Sequence, residues 1–290
     1  MEVSAIKLLT LNTHSLVESN YNKKLETFID VIEREKPDII ALQEVNQTCD
    51  EKAVEHSLLH GFCPCGKGME FGKNTIKKDN HAYNVVKELR DRGINYYWTW
   101  IGMKKGYNKY DEGIAILSLS EIIDTDQILI SNINDYNNWK TRRITGVRTK
   151  AMSDTWFYSV HMGWWNDSEE PFHKQWEMLD AHMKKYMQNG MAVWLMGDFN
   201  SPSDVRDEGY DMVIKSGWID SYSLANTKDS GITVSESIDG WKDNKDSRNG
   251  MRIDYIWCSE KSNVKSSQVI FNGINEAVVS DHYGVIIETE

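Results

Sequence analysis

Apolar residues along the chain fall in short runs of about 4–8 positions, several rich in β-branched and aromatic side chains, at 6–11, 39–42, 96–101, 114–117, 155–160, 192–196, 253–258 and 285–287. Runs of that length and composition predict buried strands. Between them the apolar spacing lengthens to that of an amphipathic helix over 23–35, 81–92, 171–188 and 205–216. The third of these has Pro171 at its start and Gly190 just past its end, the expected punctuation of a helix. Strands alternate with helices in some places and follow one another in others, which predicts two mixed sheets faced by helices in one domain. Two segments lack periodicity: 61–80, with Gly61, Gly66, Gly68 and Gly72, and 223–250, rich in Asp, Asn, Ser and Gly. Both read as long surface loops.

Composition narrows the function. The 290 residues carry 33 Lys plus Arg against 44 Asp plus Glu, a formal charge of −11. An acidic whole works against non-specific attachment to nucleic acid, whose affinity comes from Lys and Arg neutralising phosphates. One stretch runs the other way: 140–150 holds Lys140, Arg142, Arg143, Arg148 and Lys150 and no acid. On a strand Arg142, Arg148 and Lys150 share one face and Arg143 takes the other. The stretch reads equally as arginine forks for a phosphate or as a solvated edge strand kept soluble by its charge. No apolar run approaches the ~18–20 residues of a membrane span, and Met1-Glu2-Val3 opens without a basic leader. With only Cys49, Cys63, Cys65 and Cys258, a cytoplasmic protein is expected.

Candidate chemistry sits at or just beyond the ends of separate predicted strands: Asn12-Thr13-His14, Gln43-Glu44, His161, Gly197-Asp198-Phe199-Asn200, Asp254 and Ser280-Asp281-His282. Hard oxygen donors converging from several strands suit Mg²⁺, which takes one or two carboxylates and keeps water and phosphate oxygens. Any one of these acids alone reads better as a turn or cap residue. His56 and His60 lie close to Cys63-Pro64-Cys65, but the spacing is not a standard zinc pattern.

As an ordered set the pieces resemble the endonuclease/exonuclease/phosphatase superfamily of metal-dependent phosphoesterases, most specifically in Ala41-Leu42-Gln43-Glu44, Met196-Gly197-Asp198-Phe199-Asn200 and Ser280-Asp281-His282. The resemblance spans Asn12 to His282 and implies a four-layer α/β sandwich, two packed mixed β-sheets flanked by helices, with residues 1–290 forming a single catalytic domain. It further implies Glu44 as principal Mg²⁺ ligand, with Mn²⁺ as a substitute, assisted by Asn12 and Asp281 directly or through water. Asp198 would activate the attacking water, Asn200 would hold phosphate or nucleophile, His282 would donate to a phosphate oxygen and Asp254 would orient His282. His161 falls at a position that varies between histidine and tyrosine and would serve phosphate or leaving group. His14 has no place in the family pattern.

Members of this superfamily cleave nucleic acids, lipids and small esters, so the surrounding loops carry substrate choice. After His161 comes Met162-Gly163-Trp164-Trp165-Asn166, a tryptophan pair suited to stacking on a sugar ring, core packing of one of the two being the plainer reading. Together with Phe172 and Gln175-Trp176, this stretch resembles the branch that contains the bacterial maltose 6'-phosphate phosphatases. That implies a small phosphorylated sugar as substrate, bound by Trp164, Trp165 and Arg142, with no membrane partner. A Mg²⁺-dependent nuclease holding DNA or RNA on 140–150 and on Lys104, Lys105 and Lys109 is the alternative.

Overall fold

The structure, a computed structural model, describes residues 5–65, 75–235 and 250–290. Gly66, Gly68 and Gly72, and 236–249 of the second expected loop, lie outside the described residues. In chain order the strands are β1 (Lys7–Asn12), β2 (Ile39–Thr48), β3 (Tyr97–Gly106), β4 (Tyr110–Ser118), β5 (Ile122–Leu129), β6 (Arg143–Thr149), β7 (Thr155–His161), β8 (Ala192–Asp198), β9 (Ile219–Asp220), β10 (Thr227–Lys228), β11 (Asp254–Cys258), β12 (Val264–Ile270) and β13 (Gly284–Thr289). The helices are α1 (Tyr21–Glu35), α2 (His81–Asp91), α3 (Phe172–Gln188), α4 (Gly209–Lys215) and α5 (Ser221–Leu224). They form a seven-stranded sheet ordered β10-β12-β13-β1-β2-β4-β3 and a six-stranded sheet ordered β5-β6-β7-β8-β11-β9. Both sheets are mixed: β1 with β2 and β7 with β8 run parallel, and most other pairs antiparallel.

Period-two alternation assigns the layers. Leu8, Ile39, Ala41, Ile116, Val147, Phe157, Trp194, Met196, Ile256 and Ile287, drawn from strands of both sheets, form one buried cluster, the filling of a sandwich. The intervening positions face outward, where Leu9, Leu11, Ile40 and Leu42 pack on α1 and α2, and Tyr158, Val160, Leu195 and Trp257 pack on α3 and α4. Helix, sheet, sheet and helix thus make the expected four layers. No helix of the described residues is long and apolar enough to cross a membrane.

Two expectations change. The stretch 140–150 supplies β6, which lies between β5 and β7 and is no edge; Arg142 and Arg143 are buried, while Arg148 pairs with Asp124 and Lys150 with Glu121. Nor is the described end of the second loop a surface feature. Val234 pairs with Met251 and is fully buried with Ile253, and the buried Thr233 Oγ1 accepts from the Ile253 and Asp254 amides at 3.1 and 3.3 Å.

Buried His81 on α2 yields a pH prediction. Burial lowers its pKa from 6.5 to about 4; Tyr21 Oη meets its Nδ1 at 3.0 Å and its Nε2 has no partner. The unfolded chain binds the proton first, so stability is complete above about 6.5 and is lost as the pH falls toward 4, by up to about 3 kcal/mol. Denaturant melts at pH 7 and 5 should show a smaller acid loss in His81→Phe than in wild type; equal losses would refute the assignment.

Candidate active site

The inner-facing phase of the strands also places the chemistry. Asn12 and Gln43 are paired at the ends of β1 and β2, and His161, Asp198 and Asp254 stand in one row across β7, β8 and β11. Both rows lie at the same end of the sandwich, and side chains stitch them together. Gln43 Nε2 donates to Ser159 Oγ at 2.9 Å and to the Met196 carbonyl at 3.4 Å, while Ser159 Oγ donates to the Leu42 carbonyl at 2.9 Å. All of these polar groups are buried, so the bonds lock the two sheets in register. Gly197 is needed here: at φ 152° a Cβ would lie 1.9 Å from the Val160 carbonyl oxygen.

Glu44 reaches the cleft through a bulge. The β2–β4 register shifts between Leu42 and Val45, and Glu44 takes a left-handed φ of 50°, costly for a residue with a Cβ and typical of functional positions. Asn12 Nδ2 bridges the sheets, donating to Glu44 Oε1 at 3.0 Å and Asp198 Oδ2 at 3.2 Å. The amide oxygen of Asn12 accepts from the His14 amide at 3.2 Å, so its nitrogen faces the carboxylates. Burial raises the Glu44 pKa, reinforced by the Glu112 and Asp281 charges and opposed by His14 and Asn12. A desolvated carboxylate beside two others is a hard-oxygen set, which fits a divalent cation held by Glu44 with Asp281 and Asn12 nearby.

The opposite wall handles protons and anions. Asp198 Oδ1 accepts from the Asn200 amide at 2.8 Å, and Asn200 Nδ2 donates to the Met162 carbonyl at 2.9 Å. His282 Nδ1 lies 3.0 Å from Asp254 Oδ2, leaving Nε2 toward Asp198 Oδ2, 3.8 Å away; His161 Nε2 is 3.5 Å from the same oxygen. Burial raises the Asp198 pKa from 3.8 to about 7, Asp254 adding to the rise and His282 opposing it. Burial works against charge on His282, but Asp254 and Asp198 hold its pKa well above 6.5. His161 goes well below 6.5 through burial and the nearby Arg142 and Lys104 charges. One imidazole is therefore a held cation and the other neutral.

These groups line a cleft of about 240 Å³ with His14, Lys104, Tyr107, Glu112, Trp139, Arg142 and Trp164. Lys104, buried, sits 3.1 Å from Glu112 Oε1, and Arg142 is anchored through Nη1 to the Trp139 carbonyl at 2.7 Å. Trp164 lines the cleft; Trp165 does not, packing instead on Phe172 and His173. Several neighbours escape sequence reading. Glu18 ties His14 Nδ1 at 2.8 Å and the Asp281 amide at 3.2 Å, and these interactions with Glu44 and Asp281 raise the His14 pKa to about 9 although burial opposes it. Glu18 at i+4 from His14 is a visible spacing; Gln43 as an inter-sheet bridge and Lys104 as a buried cation have no local signal. His56, His60, Cys63 and Cys65 form no metal-holding group among the described residues, whereas His14–Glu18–Asp281 and Asp198–Asp254–His282 each bring ligand atoms within 4.8 Å.

Comparison with known proteins agrees with this architecture. The profile of the Endonuclease/Exonuclease/phosphatase family matches residues 9–282. No curated protein matches the sequence. Among solved structures, an endonuclease/exonuclease/phosphatase family protein from Leptotrichia buccalis is 30% identical with a TM-score of 0.82, covering 98% of this chain and 99% of its own. A mannosyl-6-phosphatase from Bacteroides thetaiotaomicron is 16% identical with a TM-score of 0.64, covering 98% and 99%. A 3' phosphatase from Neisseria bound to a product DNA hairpin is 18% identical with a TM-score of 0.60, covering 98% and 99%. At those identities the last two share the fold alone. The match over residues 9–282, the four layers and the seam-centred cleft lead to one conclusion: the chain belongs to the endonuclease/exonuclease/phosphatase family, whose members are hydrolases.

Proposed function

We propose that the protein is a cytoplasmic Mg²⁺-dependent phosphatase that releases phosphate from a phosphorylated sugar, maltose 6'-phosphate first among them, with residues 1–290 acting as one catalytic domain. The observation that carries this reading is the cleft: small, lined by Trp139 and Trp164, and with the buried cations Lys104 and Arg142 in its wall. Lys140 is spent on Asp167 and Glu169, Arg148 on Asp124, Lys150 on Glu121 and Lys104 on Glu112. A nuclease needs cations free to meet phosphates. Both distantly related enzymes named above are phosphatases, one acting on a sugar and one on DNA. His161, Arg142 and Trp164, all lining the cleft, each carry a buried nitrogen without a partner: Nδ1, Nε and Nε1 respectively.

The geometry supports one division of labour. Glu44 and Asp281 would hold the metal, with Asn12 acting through the Glu44 carboxylate that its Nδ2 meets; when bound, the metal neutralises phosphate charge and polarises the P–O bonds. Asp198, fixed by the Asn200 amide, orients a water for in-line attack and accepts its proton. His282, its Nδ1 held by Asp254, offers a charged Nε2–H where negative charge accumulates. Neutral His161 donates a hydrogen bond to the departing sugar oxygen, which takes up a proton from solvent as Asp198 returns its own to solvent, and Arg142 supplies fixed positive charge to a phosphate dianion.

The test is inorganic phosphate release under Mg²⁺ from maltose 6'-phosphate, glucose 6-phosphate and a nucleoside monophosphate, with plasmid nicking in parallel across a salt series. Release from the sugar esters, weakly dependent on salt, is expected. Nicking that falls steeply with salt and no phosphate release would place the substrate among nucleic acids and overturn the reading.

A further inference from the structure

Two aromatic residues of the cleft are exposed, Tyr107 at 49% and Trp139 at 48%; the Tyr107 hydroxyl is tied to His14 Nε2 at 3.0 Å, whereas Trp139 is held by ring packing. Its indole packs on Trp164 with ring centroids 5.4 Å apart and planes inclined by 53°. Its carbonyl anchors Arg142, and the next residue, Lys140, reaches Asp167 Oδ1 at 2.9 Å and Glu169 Oε2 at 3.0 Å while lying 5.3 Å from the Trp139 ring centroid. From the other side Glu170 accepts the Asn132 and Ile133 amides at 3.0 and 2.7 Å. The segment before β6 and the segment after β7 are thereby bound into one unit. An exposed indole packed on a second one beside a reaction centre presents ring area that a ligand can cover.

We infer that Trp139 is the stacking platform for the sugar ring carried by the phosphate ester, a specificity-determining position; the inference rests on the sugar-phosphatase reading above. An inclined pair of indoles offers a face to one ring rather than a slot for a flat base, and suits the C–H side of a pyranose. Lys140, Asp167 and Glu169 together leave the adjoining segment with one net negative charge, which disfavours a nucleic acid backbone there. Arg142 links the two ends of the substrate: the side chain that lines the cleft base is bonded to the backbone that presents the indole.

The experiment compares wild type, Trp139→Ala and Trp139→Tyr on maltose 6'-phosphate and on glycerol 3-phosphate, which has no ring. Trp139→Ala should raise KM for the disaccharide ester about tenfold with kcat within about twofold, leave both constants for glycerol 3-phosphate unchanged, and be largely rescued by Trp139→Tyr. Equal effects on both esters, a fall in kcat alone, or no rescue by tyrosine would overturn the platform. Should wild type hydrolyse sugar phosphates while Trp139→Ala behaves identically, this inference alone fails. Should wild type release no phosphate from any sugar ester, the reading on which it rests fails and the platform with it.

Discussion

Glu44→Gln should lower kcat/KM by at least about a thousandfold, because a metal-ligand carboxylate supplies several kcal/mol of transition-state charge stabilisation. The same change should leave the fold intact and raise the melting temperature of the metal-free protein by a few degrees, corresponding to about 1 kcal/mol. The reason is local: the Glu44 carboxylate is desolvated and repelled by Glu112 and Asp281, and glutamine keeps an oxygen for the Asn12 amide while removing the charge. Mg²⁺ should raise the melting temperature of wild type, by about 2.7 kcal/mol of stability at one hundred times its Kd, and have little effect on Glu44→Gln. Turnover near wild type, or a Mg²⁺ shift that survives the substitution, would remove Glu44 from the metal site.

Asp198→Asn should cost between about a hundredfold and ten-thousandfold in kcat, the usual range for losing a positioned proton acceptor, with a much smaller change in KM. Asparagine still offers an oxygen to the Asn200 amide, so the turn at the end of β8 persists, but it cannot take a proton from water. It also withdraws one of the three negative charges that hold His282 protonated, Asp254 and Asp281 remaining. Because Glu44 stays in place, the Mg²⁺-dependent rise in melting temperature should be retained. The pair of variants thus separates two jobs: one abolishes metal stabilisation and turnover together, the other turnover alone. Loss of the Mg²⁺ shift in Asp198→Asn would mean that Asp198 is itself a ligand.

The strands that alternate or run apolar, such as β1, β2, β7 and β8, were legible because burial on one or both faces writes itself into residue type. β5 and β12 were not. Asp124-Thr125-Asp126 and Ser266-Ser267-Gln268 read as loop, and their pairing comes from neighbours distant in sequence. The site showed the same split. Residues set by strand ends and their register could be listed from motifs, but the Gln43 bridge and the Trp139–Trp164 contact join segments apart in the chain, and the Lys104–Glu112 pair depends on the register of the β3–β4 hairpin. Trp165 shows the converse limit: two adjacent tryptophans look alike in sequence, while loop geometry sends one into the cleft and the other onto Phe172.

The placement of β1 has a consequence for synthesis. This strand carries Asn12, and in the finished sheet it lies between β2 and β13, with Ser280 Oγ capping the Asn12 carbonyl at 2.7 Å across 268 positions of sequence. While the chain is being made, β2 can join β1 early, but the other side of β1 remains a row of unpaired backbone groups until β13 has left the ribosome. For most of translation the half-built sheet exposes a sticky edge, a target for chaperones and a nucleus for aggregation. Hydrolytic activity then depends on β13 closing the sheet around Asn12, a junction between segments 268 positions apart in the chain.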